Sequence, residues 1–367
     1  MTTGPDPAAL ARDHSFGGLF ILNAPSTIDR LRWMDIMRCI AIFLVVLNHA
    51  VLQVNTRLPE PLPALTSLND GVGPFRMATL MFLSGMLLPK SFKKSTIEFV
   101  LGKVGGIAWP YLLWSTLLLS LLVTTSGLSG NDSVTAATFL QIFYAPPTYL
   151  WYLAYLLVFY VISLLLRSTP RLRSTLIPVA LIASQLATSG SNTQRLLYLL
   201  AFFLLGDLVA RYHAVFENAV RSLWLLPLAA ALALVTAVEA GAGSSVRYEP
   251  RWVIGVMAGA LVLIRISRAI ERTKFGVWMA SYGRRSIVFY VTHWSAMLIA
   301  YHISMRVGIE EMWALFGVLL AAGMGAGFSC IWLERRWSPL EYLFSIPVNR
   351  WRQQRSMNAR PKKLAVE

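Results

Sequence analysis

Long apolar segments alternate with short polar ones along most of the chain, from residue 36 to residue 333. A helix needs about twenty apolar residues to cross the hydrocarbon core of a bilayer, and most of these segments approach that length. The pattern therefore predicts an all-α, polytopic integral membrane protein with about ten transmembrane helices. The predicted spans are 36–54, 72–89, 99–124, 148–166, 174–190, 196–210, 222–240, 250–266, 286–304 and 311–333.

Composition and charge agree with this class and give an orientation. The chain has 367 residues, of which 56% are hydrophobic and only 14% are charged. Loops counted alternately from a cytoplasmic N-terminus carry 24 basic residues inside and four outside. The four outside are Arg57, Arg195, Arg247 and Arg306. Because positive loops stay in the cytoplasm, both termini are predicted to be cytoplasmic, and the basic charge does not indicate nucleic-acid binding.

The same pattern divides the chain into three parts. Residues 1–30 are polar and interrupted by prolines, and we interpret them as an irregular cytoplasmic segment. Residues 31–337 are predicted to form the ten-helix membrane domain. The basic tail, 338–367, is expected to lie along the inner membrane surface, attracted by anionic lipid.

The first apolar segment carries ionisable residues at membrane depth. Arg38 and His49 are eleven residues apart, roughly three helical turns, so both project from one face about 16 Å apart. Such groups are costly in a membrane and usually mark a pathway or a reaction site. Asp35 can pair with Arg38, and this guanidinium, with Arg32 nearby, suits an anionic ligand from the cytoplasm. Taken singly, Arg38 could also reach the lipid headgroups, and His49 could bond a neighbouring helix.

Later segments add further candidates. Arg76 is a second cation, in the same outer half of the membrane as His49, and His293 is deep enough in the ninth span to line a cavity. Tyr149 and Trp151 open the fourth span, either as an interfacial aromatic belt or as a stacking surface for a sugar or lipid acceptor. The pair Ser84–Gly85 favours close helix packing over catalysis. The two cysteines lack metal-ligand spacing, so no metal site is predicted.

Four sequence blocks together resemble transmembrane acyltransferase family 3, the bacterial O-acyltransferases of polysaccharides and glycolipids. The first is the pattern Arg-x4-Asp-x2-Arg-x10-His, which is fairly specific when combined with the helix layout. It is formed by Arg30, Asp35, Arg38 and His49. The other blocks, weak alone, are "FRMATLMFLSG" at 75–85, "LWYL" at 150–153 and "SIVFYVTH" at 286–293. The resemblance covers residues 30–337 and is to the short, membrane-only form of the family.

The resemblance implies transfer of an acyl group, usually acetyl from acetyl-CoA, to a hydroxyl of a cell-envelope glycan or glycolipid at the inner (plasma) membrane. It makes Arg38 and His49 the essential pair, with His49 as general base or as carrier of an acyl-histidine. Acyl-CoA is then a substrate, and no permanently bound cofactor is expected. We assign the donor side to Arg38, Asp35 and Arg32, and the acceptor side to Arg76, Tyr149, Trp151 and His293.

Two other functions are compatible with an arginine and a histidine at membrane depth. One is a carrier or flippase for an anionic envelope precursor, with Arg38 and Arg76 as ligands and His49 as a proton relay. The other is a structural or sensory membrane protein, which leaves the shared face of Arg38 and His49 unexplained. The sequence shows no internal repeat between its halves, which counts against a carrier built from repeats.

Overall fold

The computed structural model describes residues 32–57, 62–128 and 139–348, and within these ranges it contains helices and no strand. The predicted N-terminal segment 1–30, including Arg30, and the last part of the tail, 349–367, lie outside the described residues. The α-helices are α1 Arg32–Arg57, α2 Pro63–Gly71, α3 Gly73–Met86, α4 Leu88–Ser91, α5 Thr96–Lys103, α6 Trp109–Leu128, α7 Trp151–Leu165, α8 Pro170–Leu186, α9 Asn192–Arg211, α10 His213–Arg221, α11 Leu225–Gly241, α12 Val253–Ile270, α13 Lys274–Gly283, α14 Ser286–Arg306 and α15 Met312–Arg336.

Eight spans of the described chain are long and apolar enough to cross a membrane. They are Arg32–Thr56, Pro63–Ser91, Thr96–Thr124, Gln141–Leu165, Asn192–Arg211, Pro250–Ile270, Ser286–Arg306 and Met312–Arg336. The other two predicted segments form α8 and α11, which have 17 residues each. Helices α10 and α11 meet at 85° and give a ninth span if the bent pair counts as one. The prediction of an all-helical, multi-pass membrane protein is confirmed, and its orientation remains a prediction.

Helix α1 packs against α3, α12, α13, α14 and α15. Glycine makes the closest of these approaches possible, because a Cβ on Gly283 of α13 would lie 1.7 Å from the carbonyl oxygen of Asp35. Helices α3 and α9 interlock in the same way. A Cβ on Gly85 would lie 1.8 Å from the Phe203 carbonyl oxygen, and one on Gly206 would lie 2.1 Å from that of Phe82. The packing role predicted for Gly85 is therefore confirmed.

A π-helix, Val104–Ala108, joins α5 to α6 and receives the first residues of the tail. The backbone N–H of Ile346 donates to the Gly105 carbonyl at 3.0 Å. Two indoles of α6 donate to tail carbonyls, Trp109 to Tyr342 at 2.6 Å and Trp114 to Leu343 at 2.9 Å. Residues 338–348 are thus held against the bundle by backbone and indole hydrogen bonds.

We predict that Gly85→Ala destabilises the protein by about 1–3 kcal/mol, since a methyl group would force the backbones of α3 and α9 apart. The matched control is Gly325→Ala in α15, where a Cβ meets nothing within 4 Å. That change should be neutral or stabilise by up to about 1 kcal/mol through helix propensity. Thermal unfolding in detergent measures both. Equal unfolding temperatures for the two variants would contradict this account of the α3–α9 contact.

Candidate active site

Candidate residues from three separate spans meet at one point. His49 on α1 and His293 on α14 have ring centroids 5.1 Å apart. Tyr149, in the 3₁₀ turn Thr148–Leu150 before α7, packs its ring 4.8 Å from His293 and 6.2 Å from His49. Trp294 meets His49 edge-on at 5.0 Å. We call these four side chains, His49, Tyr149, His293 and Trp294, the histidine cluster.

The backbone around Tyr149 is held in an unusual conformation. Thr148 has a φ of 40°, a left-handed value that a residue with a branched Cβ adopts only when its surroundings impose it. The Tyr149 hydroxyl donates to the Val291 carbonyl at 2.8 Å, and the Tyr290 hydroxyl donates to the Tyr149 carbonyl. Helix α14 therefore fixes both the ring and the backbone of Tyr149. The strain lies one residue from the histidine cluster.

Two imidazole nitrogens in this cluster are buried without a partner among the described residues. His293 Nδ1 lies 3.1 Å from the Phe289 carbonyl oxygen. Because a carbonyl only accepts, we infer that Nδ1 carries the proton and that the neutral ring presents Nε2 as an acceptor. His293 Nε2 and His49 Nδ1 are the unpartnered atoms. These two nitrogens are therefore free to hydrogen-bond a group from outside the described residues.

Arg76 of α3 places a fixed positive charge beside His49. Its side chain is 4% exposed, and its partners are neutral oxygens. It donates to Asn69 Oδ1 at 2.6 Å, to Asn48 Oδ1 at 3.0 Å and to the Leu44 carbonyl at 3.3 Å. Since Asn48 directly precedes His49 in α1, this network ties the charge to the histidine cluster. Sequence reasoning found Arg76 but not the two asparagines that hold it.

Arg38 lies in a separate small cavity. Its Nη1 pairs with Asp35 Oδ1 at 2.9 Å, and Arg284 approaches the other carboxylate oxygen at 3.8 Å. Asp35 is buried, while the Arg38 side chain keeps 14% of its surface accessible. The cavity measures about 150 Å³ and is lined by Arg38, Ile42, Leu80, Ser84, Ile107, Tyr152, Leu153, Leu156, Ser286, Ile287 and Tyr290. We call it the Arg38 cavity.

Tyr290 separates the Arg38 cavity from the histidine cluster. It lines the cavity, and its ring lies 5.6 Å from Tyr149 and 6.1 Å from His293. The Tyr152 ring, on the cavity side, lies 5.4 Å from Tyr290. One aromatic side chain thus contacts both regions. Tyr290 was not among the predicted site residues, although it stands inside the block 286–293 that carried the resemblance.

Two predicted site residues lie elsewhere. Arg32 is exposed, donates to the Glu271 carbonyl at 3.0 Å and does not line the Arg38 cavity. Trp151 follows Tyr149 by two residues but contacts Arg195 and Tyr155, with ring-centroid distances of 4.2 Å and 5.2 Å. The tight turn before α7 sends the rings of Tyr149 and Trp151 in different directions. Their positions in the sequence, two residues apart, therefore did not show that only Tyr149 joins the cluster.

Gln53 is a polar residue of α1 that sequence reasoning missed. It is 2% exposed, and neither its amide nitrogen nor its amide oxygen has a partner among the described residues. It follows His49 by four residues, about one helical turn, so it extends the face that carries Arg38 and His49. The sequence feature that could have indicated Gln53 is its position four residues after His49 in an otherwise apolar run. No three His, Cys, Asp or Glu side chains of the described chain group closely enough to hold a metal ion.

A bundle of apolar helices that encloses two arginines and a histidine pair defines a multi-pass membrane protein with a polar site between its spans. Comparison with known families then identifies the chain. The family model described as an acyltransferase domain, that of acyltransferase family 3, matches residues 31–333, so the chain belongs to this family. Searches of curated proteins and of solved structures gave no match. The resemblance drawn from the four sequence blocks is confirmed.

We predict opposite effects on folding for two polar residues near the cluster. Gln53→Leu should leave stability unchanged or raise it by about 1–3 kcal/mol, since it removes a buried amide without a partner in the described part of the chain. Asn69→Leu should lower stability by about 1.5–3 kcal/mol, because Arg76 loses a charge-assisted hydrogen bond. Thermal unfolding in detergent compares the two. Equal losses would show that the Gln53 amide is satisfied within the folded protein.

Proposed function

We propose that this membrane acyltransferase moves an acetyl group from acetyl-CoA to a hydroxyl of a cell-envelope glycan or glycolipid in the inner membrane. The observation that carries the proposal is the contact of Tyr290 with both the Arg38 cavity and the histidine cluster. An anion-binding arginine and a proton-accepting imidazole then lie on the two sides of one side chain. Family membership supports the reaction class.

Arg38 serves the donor in this proposal. A guanidinium binds phosphate and thioester oxygens through several donors at once, and its planar group fixes their orientation. Asp35 holds Arg38 from one side at 2.9 Å, and Arg284 shares that carboxylate. Asp35 is therefore a positioning residue for Arg38. The cavity of about 150 Å³ is too small for a whole CoA molecule, so it would take the acyl-bearing end alone.

His49 acts as the general base. Its imidazole takes the proton of the acceptor hydroxyl while the hydroxyl oxygen attacks the thioester carbonyl carbon. The new carbon–oxygen bond forms, the carbon–sulfur bond breaks, and the CoA thiolate leaves and receives a proton from the imidazolium. Attack by His49 itself, through an acyl-histidine that the acceptor then resolves, uses the same groups in two steps.

The acceptor hydroxyl would approach from the side of the histidine cluster. His293 Nε2, which has no partner among the described residues, and the amide of Gln53, about one helical turn after His49, provide hydrogen-bonding groups near His49. The cation of Arg76, held only by neutral oxygens, favours the negative charge that develops on the carbonyl oxygen during attack. Tyr149 supports this surface by fixing His49 and His293 through ring contacts.

A carrier for an anionic envelope precursor is the second candidate. It is favoured by one observation, the buried Arg76 without a carboxylate partner among the described residues, which an anionic cargo would neutralise. Such a carrier needs no acyl donor. Donor-dependent chemistry therefore distinguishes the two functions.

We predict that His49→Ala abolishes acceptor-dependent release of CoA thiol from acetyl-CoA while binding of acetyl-CoA is retained. General-base catalysis typically contributes 10²–10⁴-fold, so residual turnover should fall by at least about a hundredfold. The assay uses detergent-purified protein with crude envelope glycans. His302→Ala, at the far end of α14, is the matched control and should keep full turnover.

Near-native turnover of His49→Ala would exclude the general-base role. If the unmodified protein neither releases thiol nor binds any of several acyl-CoAs, the carrier function is favoured instead.

We predict that Arg38→Gln raises the KM for acetyl-CoA by about tenfold or more, the value of one charge-assisted hydrogen bond. Asp35→Asn should give a smaller rise, since Arg38 keeps its charge but loses the partner that orients it. Arg32→Gln should change KM least, because Arg32 lies outside the Arg38 cavity. Steady-state kinetics with varied acetyl-CoA measures all three. A larger effect of Arg32→Gln than of Arg38→Gln would overturn the donor assignment.

A further inference from the structure

A larger cavity, of about 520 Å³, lies beside the histidine cluster. It is formed by the turn that leads into α7 and by the first residues of α9. Thr148, one of its lining residues, directly precedes Tyr149 of the cluster. The volume falls in the range of small-molecule sites, about 300–1,000 Å³. Its polar and aromatic lining includes Tyr144, Thr148, Trp151, Tyr155, Asn192 and Arg195, and we call it the Arg195 cavity.

The ring of Trp151 in this cavity is already covered. The Arg195 guanidinium carbon lies 4.2 Å from the Trp151 ring centroid and 5.6 Å from that of Tyr155. A sugar cannot stack on the face of Trp151 that the guanidinium occupies. The cavity therefore presents a cation to a ligand, and the indole serves to hold that cation.

Arg195 has no carboxylate partner among the described residues. Its Nη2 donates to Asn192 Oδ1 at 2.5 Å, and its Nε is buried without a partner. Glu249 binds other groups, as its Oε1 accepts from Ser189 and from Gln194, each at 3.0 Å. The positive charge of Arg195 is thus not neutralised by a carboxylate of the described residues.

Two further arginines lie near the same place. Burial raises the pKa of Tyr248, and the guanidinium groups of Arg247, Arg195 and Arg76 oppose that rise. Arg247 approaches Asp70 only at 3.8 Å, with both side chains more than two-fifths exposed. Three guanidinium groups thus act on Tyr248, whose own backbone has a left-handed φ of 64°.

The distribution of charge along the chain makes this grouping unusual. Only four basic residues are assigned to the outer loops, and Arg195 and Arg247 are two of them. In the predicted orientation, these two arginines stand on the side of the membrane where basic residues are scarce.

We infer that the Arg195 cavity binds an anionic group, a carboxylate or a phosphate, carried by the acceptor. That the anion belongs to the acceptor rests on the proposed function, whereas anion binding by Arg195 does not depend on that function. The acceptor would then be an acidic glycan or a phosphate-bearing glycolipid. The anionic group docks at Arg195 while a hydroxyl of the same molecule reaches the histidine cluster next to Thr148.

The test is a binding measurement on the full-length, detergent-purified protein without CoA, so it does not depend on transfer. Calorimetry compares methyl glucoside with methyl glucuronide, which differ by one carboxylate, and with glucose 1-phosphate. Glycerol 3-phosphate is the probe for a lipid headgroup. We expect at least one anionic sugar to bind tenfold or more tightly than methyl glucoside, and this preference to weaken as salt is added.

Arg195→Gln should remove that preference, and Arg195→Lys, which keeps the charge but not the planar fork, should retain part of it. Arg306→Gln, at the end of α14, is the matched control and should bind like the unmodified protein. Thermal unfolding of each unliganded variant verifies that it is folded.

Three results would overturn the inference. They are equal binding of anionic and neutral sugars, a preference that persists in Arg195→Gln, and Arg195-dependent binding of glycerol 3-phosphate alone, which marks a lipid headgroup site. If the unmodified protein releases no thiol from any of several acyl-CoAs but shows the Arg195-dependent preference, the proposed reaction fails and the anion site stands.

Discussion

The buried charges of α1 and of its neighbour α3 need partners inside the bundle, because lipid offers none, and this requirement organises much of the structure. Asp35 pairs with Arg38 at one end of the helix, and Arg284, which follows α13, approaches the same carboxylate. At the other end, Asn48 and Asn69 hold the buried Arg76. Each network joins α1 to other parts of the bundle, so the helix that carries the candidate chemistry is also the helix around which its neighbours are placed.

Close backbone contact is what allows these networks to form. Within a membrane, helices gain little from hydrophobic burial against one another, and small residues supply the packing instead. Gly283 brings α13 against the Asp35 carbonyl, which is why Arg284 reaches the same carboxylate as Arg38. Gly85 and Gly206 bring α3 and α9 together, and α3 carries Arg76 to α1. The positions of these charged side chains therefore depend on glycines, which let the helix backbones approach closely.

The candidate site consists of two regions that share one wall. Tyr290 lines the Arg38 cavity and also packs against the histidine cluster, and its hydroxyl fixes the backbone carbonyl of Tyr149. The strained Thr148 lies next to that carbonyl and at the edge of the Arg195 cavity. In the proposed reaction, the donor, the reacting hydroxyl and an anionic group would bind at the Arg38 cavity, the histidine cluster and the Arg195 cavity, respectively. The proposed reaction requires this adjacency, since its two substrates are expected from opposite sides of the membrane.

The sequence alone determined the helical membrane class and singled out Arg38, His49, Arg76 and His293 as candidate site residues, because hydropathy and the cost of a charge in lipid are properties of short segments. It did not determine partners. Three features depend on which helix faces turn toward each other: His293 meets His49, Trp151 lies under Arg195, and Gln53 has no hydrogen-bond partner among the described residues. Those orientations are set by contacts between segments far apart in the chain, including close backbone contacts at glycines. The periodicity of apolar residues does not predict such contacts. Only the tertiary structure could decide them.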